Sequence, residues 1–121
     1  WTSSREFKRN IRAMEKVSSK VKLLRPVRYE GTAPLLNENG DPEFDDAGNI
    51  KSKSEASFGL IAEDVQEHFP DLVFHISLPD GRETLGVHYN RLSIYNLQAI
   101  QEQEDEIQSL KARLQALETK S

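Results

Sequence analysis

From residue 90 to residue 120 the chain carries no glycine or proline, and its large apolar residues recur on a seven-residue period. With Ile100 at heptad position a, Ile107 and Leu114 also fall at a, Leu110 and Leu117 at d, and Gln103 is the one polar d residue. Glu106 and Arg113 occupy g, and Lys111 and Glu118 occupy the e positions five residues later. That is the offset at which a parallel, in-register neighbour presents its e side chain, and both cross-pairs are opposite in sign. The pattern therefore predicts a long helix over 90–121 whose apolar stripe is closed by copies of the same chain. The repeat and the charges together favour this over a helix lying on its own domain. Ile at a with Leu at d favours two strands, while Leu114 at a and Gln103 at d leave the strand number open.

The rest of the chain changes period several times. Met14, Val17, Val21 and Leu24 recur at helical spacing and predict a first helix over 13–24, closed at Arg25-Pro26 because a proline ring restrains the residue before it. Pro26 to Tyr29 alternates apolar and polar as a short strand. Residues 31–54 are rich in Gly, Asn, Asp, Pro and Ser and predict a long two-stranded excursion turning near Gly40 or Gly48. Residues 62–69 predict a short helix with Val65 and Phe69 on one face, ended by Pro70. Residues 72–78 and 83–89 flank Pro79-Asp80-Gly81 as a hairpin. Phe74, Ile76 and Leu78 share one face of its first strand, Leu85, Val87 and Tyr89 one face of its second, and both sets are expected on the core side. The fold class is thus α+β, a small globular domain with short helices, antiparallel strands and a protruding arm, followed by a long C-terminal helix.

Charge divides the chain. Residues 1–28 hold nine Lys or Arg against two Glu, a local +7 within a net charge of −4. Such an arm suits nucleic acid only when aromatic residues interleave with the charges, and here Phe7 is the one ring between Trp1 and Tyr29. An acidic protein surface, on its own oligomer or on the protein it came from, is the better partner for the arm. The absence of cysteine excludes disulfides and thiolate chemistry. No apolar run approaches the length of a membrane span. His68, His75 and His88 are scattered without ligand spacing, and the stretches 37–41 and 45–49 lack the further ligands of a calcium loop. Glu63 and Asp64 suit the first turn of the short helix better than a catalytic carboxylate pair. Nothing calls for a metal or a cofactor.

Five blocks carry a resemblance. They are Ser3 with Phe7-Lys8-Arg9-Asn10-Ile11; Leu24-Arg25-Pro26-Val27-Arg28-Tyr29; Phe58-Gly59-Leu60-Ile61-Ala62-Glu63-Asp64-Val65; Phe69-Pro70-Asp71-Leu72-Val73; and Val87-His88-Tyr89-Asn90-Arg91-Leu92 leading into the heptads. In this order they resemble the C-terminal intramolecular chaperone domain of phage tailspikes and tail fibres, a self-cleaving module classed as peptidase family S74. The same module is found in some eukaryotic membrane-tethered transcription factors.

The resemblance implies a homotrimer with a parallel trimeric coiled coil. Its partner is the fibrous trimeric protein encoded upstream in the same precursor, whose folding it assists in the host cytoplasm during virion assembly before it is released from the mature fibre. The excursion at 31–54 matches where such domains extend an arm along the nascent fibre. In this family a serine followed five residues later by a lysine performs the cut, which maps onto Ser3 and Lys8 in a cleavage segment of Thr2, Ser3 and Ser4. The Thr2–Ser3 bond is the expected site and Ser3–Ser4 the fallback. The chemistry requires a neutral lysine, through burial or through like charges such as Arg5, Arg9 and Arg12. The family usually has Asp directly after the serine, where this chain has Ser4. The implied organisation is a cleavage segment and basic arm over 1–12, a chaperone body over 13–89 with its arm at about 31–54, and the coiled-coil helix over 90–121. Two other classes of function compete: a non-catalytic trimerisation or attachment module, and an oligomer that binds nucleic acid through the basic arm.

Overall fold

A computed structural model of the chain describes residues 3–120. The described residues resolve into two compact units, one formed by residues 3–23 with 88–120 and the other by residues 24–87.

The first unit is built on helix α3, Tyr89–Lys120. Its 32 residues span about 48 Å at 1.5 Å each. Leu92 and Ala99 are its buried residues. Packed against it is α1, Ser18–Val21, a single turn where the periodicity predicts a helix over 13–24. The cause lies 84 residues away. A helix that began earlier would tie up the amides of Val17 and Ser18 in its own ladder. Here the Glu102 carboxylate accepts from both, at 2.8 and 3.3 Å, and from Ser18 Oγ at 3.0 Å. The orphan donors of a helix N-terminus are thus satisfied from α3, and the helix starts there. Val17 beside this cap is buried.

In the second unit, β1 (Val27–Pro34) pairs antiparallel with β2 (Ser52–Gly59), from Val27↔Gly59 to Pro34↔Ser52. The ladder runs five residues beyond the predicted strand end at Tyr29, into the excursion. Beyond Pro34 the arm divides into two small lobes, bridged at Leu36↔Pro42 and at Phe44↔Ile50. Gly40 and Gly48 both turn, with φ of 83° and 85°, a region that a side chain would make costly. The lobes repeat at eight residues. Asn37 Oδ1 accepts from the amides of Asn39 and Asp41, and Asp45 Oδ1 accepts from those of Ala47 and Asn49. Three backbone bonds close a ring where the lobes join the ladder: Leu35 N–H to Lys51 O at 2.8 Å, Lys51 N–H to Glu43 O at 2.9 Å, and Glu43 N–H to Leu35 O at 2.9 Å.

The same unit holds part of the core. Helix α2, Ala62–His68, packs on β3 (Val73–Ser77) and β4 (Glu83–Val87), and Val65, Phe69 and Leu72 are buried. The hairpin forms as predicted, but its faces differ from the expectation. Its register pairs Val73↔Val87, Phe74↔Gly86 and Ile76↔Thr84, so even residues share a face with even and odd with odd. Leu85, Val87 and Val73 are half-buried on one face. Phe74 and Ile76 lie on the other, 37% and 39% exposed. The three-residue connection 79–81 between Leu78 and Arg82 sets this parity, with Gly81 at φ 87°. Asp80 fixes the loop by accepting from the Arg82 amide at 3.0 Å and from Arg82 Nε at 2.6 Å, which holds its carboxyl below the ordinary value.

Phe74 has no side chain opposite it, and its ring lies over Gly86. A Cβ added at Gly86 would come within 2.7 Å of Phe74 Cε2. Gly86→Ala is therefore expected to displace the ring and lower stability by about 1 kcal/mol, the low end of overpacking costs, because a part-exposed ring has solvent to swing into. Gly31→Ala, whose Cβ would sit 3.3 Å from the Tyr29 ring, is expected to cost less. Urea midpoints of the two variants check the order.

Candidate functional site

The N-terminal segment is shaped by one 3-10 turn, Arg5–Phe7. The Phe7 amide donates to Ser4 O at 3.2 Å and the Lys8 amide to Arg5 O at 3.0 Å. This reversal carries the Lys8 side chain back over the five-residue interval, and Lys8 Nζ donates to the backbone carbonyl oxygen of Ser3 at 2.5 Å. Ser3 and Lys8 therefore meet, through the serine's carbonyl and not its hydroxyl. An ammonium on a carbonyl polarises it toward attack, and the carbonyl so addressed belongs to the Ser3–Ser4 peptide. Ser3, Ser4 and Lys8 are all exposed, as are Arg5, Arg9 and Arg12. Thr2, and with it the Thr2–Ser3 bond, lies outside the described residues. After Lys8 the chain leaves helical geometry, with Asn10 at φ 55°, a conformation asparagine tolerates better than most residues.

The helix residues expected to form a seam stand on α3. Ile100, Ile107, Leu110, Leu114 and Leu117 are between 45% and 66% exposed, and Gln103 is exposed with them. A row of large aliphatic side chains in water over five turns is more than scattered surface apolarity.

Glu102 has no role in the heptad pattern or in the family resemblance. It sits at heptad position c, off the seam, and accepts also from Gln98 Nε2 at 3.2 Å. The Val17 amide, with further bonds from Ser18 and Gln98, holds its carboxyl below the ordinary Glu value, against a smaller opposing effect of burial. A carboxyl depressed in the folded state contributes stability above its unfolded value, about 4.3, and that contribution is lost as pH falls through the folded value. Acidification below about pH 4 is thus expected to free α1 from α3. Faster amide exchange at Val17 and Ser18 would report it, and Glu102→Ala should give the same exchange at pH 7.

Among the described residues no group of three or more His, Asp or Glu comes together as a metal site, and no helix is long and apolar enough to cross a membrane. In the arm lobes Asn37 and Asp45 spend a side-chain oxygen on their own backbone. Arg28 lies over the Phe58 ring, 5.8 Å from its centroid, on the β1–β2 ladder.

The chain compares with known proteins at the level of family. The family model Peptidase_S74, described as chaperone of endosialidase, matches residues 3–74, more than half of the sequence. The match begins at Ser3, includes the Lys8 turn and the whole arm, and ends in β3. No curated protein matches closely enough to count as a relative.

Proposed function

Because the chain belongs to the Peptidase_S74 family, the chaperones of endosialidase, we propose that it is an intramolecular chaperone that trimerises through α3, assists the folding of a phage tail fibre or tailspike encoded upstream in the same precursor, and then releases itself at Ser3. Its work is done in the host cytoplasm during virion assembly. The family match carries the chaperone reading. The observation that supports self-release is the return of Lys8 onto Ser3 through the 3-10 turn, which brings the two residues of the dyad together within one copy.

The cut proceeds by acyl transfer. Lys8, neutral in the assembled precursor, takes the proton of the Ser3 hydroxyl as Oγ attacks the Thr2 carbonyl carbon. The C–N bond to Ser3 breaks, the Ser3 nitrogen takes up a proton as an amine, and an ester joins Thr2 to Ser3 Oγ. Water hydrolyses the ester, leaving a Thr2 carboxylate and restoring the Ser3 hydroxyl. The released domain retains Ser3 and Lys8, so each copy cuts once. In the single chain the segment is open to water, and the upstream trimer supplies the enclosure that makes the lysine a base.

A precursor carrying several hundred upstream residues tests this. Ser3→Ala and Lys8→Ala are each expected to leave an assembled, uncut protein on a denaturing gel, whereas Ser4→Ala should still be cut. Loss of cutting with Ser4→Ala but not with Ser3→Ala would move the nucleophile to Ser4. A precursor in which no variant changes processing would rule out self-cleavage. One observation favours the second reading, a non-catalytic trimerisation or attachment module: Lys8 contacts the Ser3 carbonyl and not the hydroxyl. A wild-type precursor that stays intact after assembly would select it.

A further inference from the structure

Helix α3 has two flanks beside its seam, and the single chain covers one. Leu92 and Ala99, its buried residues, both fall at heptad position g, and Glu102, which holds α1, falls at c on the same side. The opposite flank, positions e and b, carries Leu97 and Ile94, 50% and 54% exposed. At 3.5 residues per turn, positions g and e are roughly 150° apart across the seam, so α1 does not reach both.

The direction of α1 fixes what lies at each level. Lys16 and Ser18 border one groove with Glu102, Gln103, Asp105 and Glu106, and the Val17 and Ser18 amides are held at its Glu102 end, which leaves Lys16 for the Asp105–Glu106 end. The segment therefore runs antiparallel to α3. Helix α1 carries the chain three residues beyond Ser18, to about the level of Ala99 at a rise of about 1.5 Å per residue, and the turn that follows, closed by the Leu23 amide on Lys20 O at 3.0 Å, takes Leu23 on toward Leu97. Leu23 is 53% exposed.

In a parallel, in-register assembly each g flank meets the e flank of the next copy, five residues further along. The opposite charges of Glu106 with Lys111 and of Arg113 with Glu118 argue for that register. The same offset sets the next copy's Leu97 opposite Leu92 and its Glu104 opposite Ala99, beside α1. The segment is apolar at Leu23 and basic at Lys16, Lys20 and Lys22, which complements Leu97 and Glu104.

The geometry points to a contact between copies in which each α1 is gripped by its own α3 on one side and by Ile94, Leu97 and Glu104 of the next copy's α3 on the other. This rests on the self-association in the proposed function and gives it a consequence. The strand of chain leading to Ser3 and Lys8 is anchored through a neighbour, so the position of the cleavage segment depends on assembly.

The chain has no cysteine, so engineered pairs read the contact without background thiols. The 121-residue chain carrying Leu23→Cys with Leu97→Cys, assembled under reducing conditions and then mildly oxidised, is expected to run as covalent oligomers up to a trimer on a non-reducing denaturing gel. Either single variant should yield at most traces. Lys16→Cys with Glu104→Cys reads the same contact about two turns away, and cross-linking by either pair supports it. Assembled protein, by light scattering, in which both pairs remain single chains on the gel overturns the contact while leaving self-association standing. A wild-type chain that light scattering finds monomeric overturns both.

Discussion

Leu110→Asp is expected to turn the protein into a monomer at micromolar concentration. Leu110 is at d in the middle of the α3 seam and is about half exposed in the single chain. Burying the exposed half of such a side chain is worth about 0.8–1.5 kcal/mol, and a trimer loses that three times over, before the cost of placing three carboxylates on one axis. The assembly constant is expected to fall by about two orders of magnitude or more, which light scattering across a dilution series detects directly. The flanking charges act on a smaller scale. Arg113→Glu should weaken assembly only modestly and Glu118→Arg in the same chain should restore it, since an exposed pair contributes about 0.2–1 kcal/mol. A Leu110→Asp protein with unchanged mass would place the stripe outside the interface.

Replacing residues 35–51 by a short Gly-Ser turn separates assembly from chaperoning. The β1–β2 ladder ends at Pro34↔Ser52, so the cut removes both lobes and their ring of three hydrogen bonds while leaving every ladder pair intact. None of the seam residues lies in the excised stretch. The variant is expected to assemble with the same number of copies, whereas the yield of folded fibre from a precursor carrying it should collapse. Leu36, Phe44 and Ile50, 55%, 58% and 47% exposed on the lobes, are the apolar side chains available there to a nascent chain. Fibre yield equal to wild type would take the chaperone role away from the arm.

What could be read from the sequence follows from how far apart the determinants lie. The α3 stripe and the α2 stop at Pro70 were legible because a heptad and a proline act within a few residues. The hairpin at 73–87 was legible, but the faces of its strands were not, since they depend on whether the loop holds an odd or even number of residues. Three residues between Leu78 and Arg82 set Phe74 over Gly86 and sent Leu85 and Val87 to the other face. The first helix lost most of its predicted length to Glu102, and no local pattern announces a carboxylate that arrives from 84 residues away. The glycines at 40 and 48 marked a turn each, yet the join of two lobes is made by backbone groups at 35, 43 and 51, which carry no side-chain signature. At the candidate site, Ser3 and Lys8 stood out through the family resemblance alone. The 3-10 turn that brings them together rests on the backbone bonds from Phe7 to Ser4 and from Lys8 to Arg5, and the choice of the carbonyl over the hydroxyl lies below anything residue spacing specifies.

The role proposed for this chain is to make an upstream fibre fold. The most direct measurement is the yield of soluble, protease-resistant, trimeric fibre from two otherwise identical precursors, one ending before Ser3 and one carrying the chain through residue 121. Folded trimer is expected from the longer precursor and aggregated or degraded protein from the shorter one. Equal yields of folded trimer from both would contradict it.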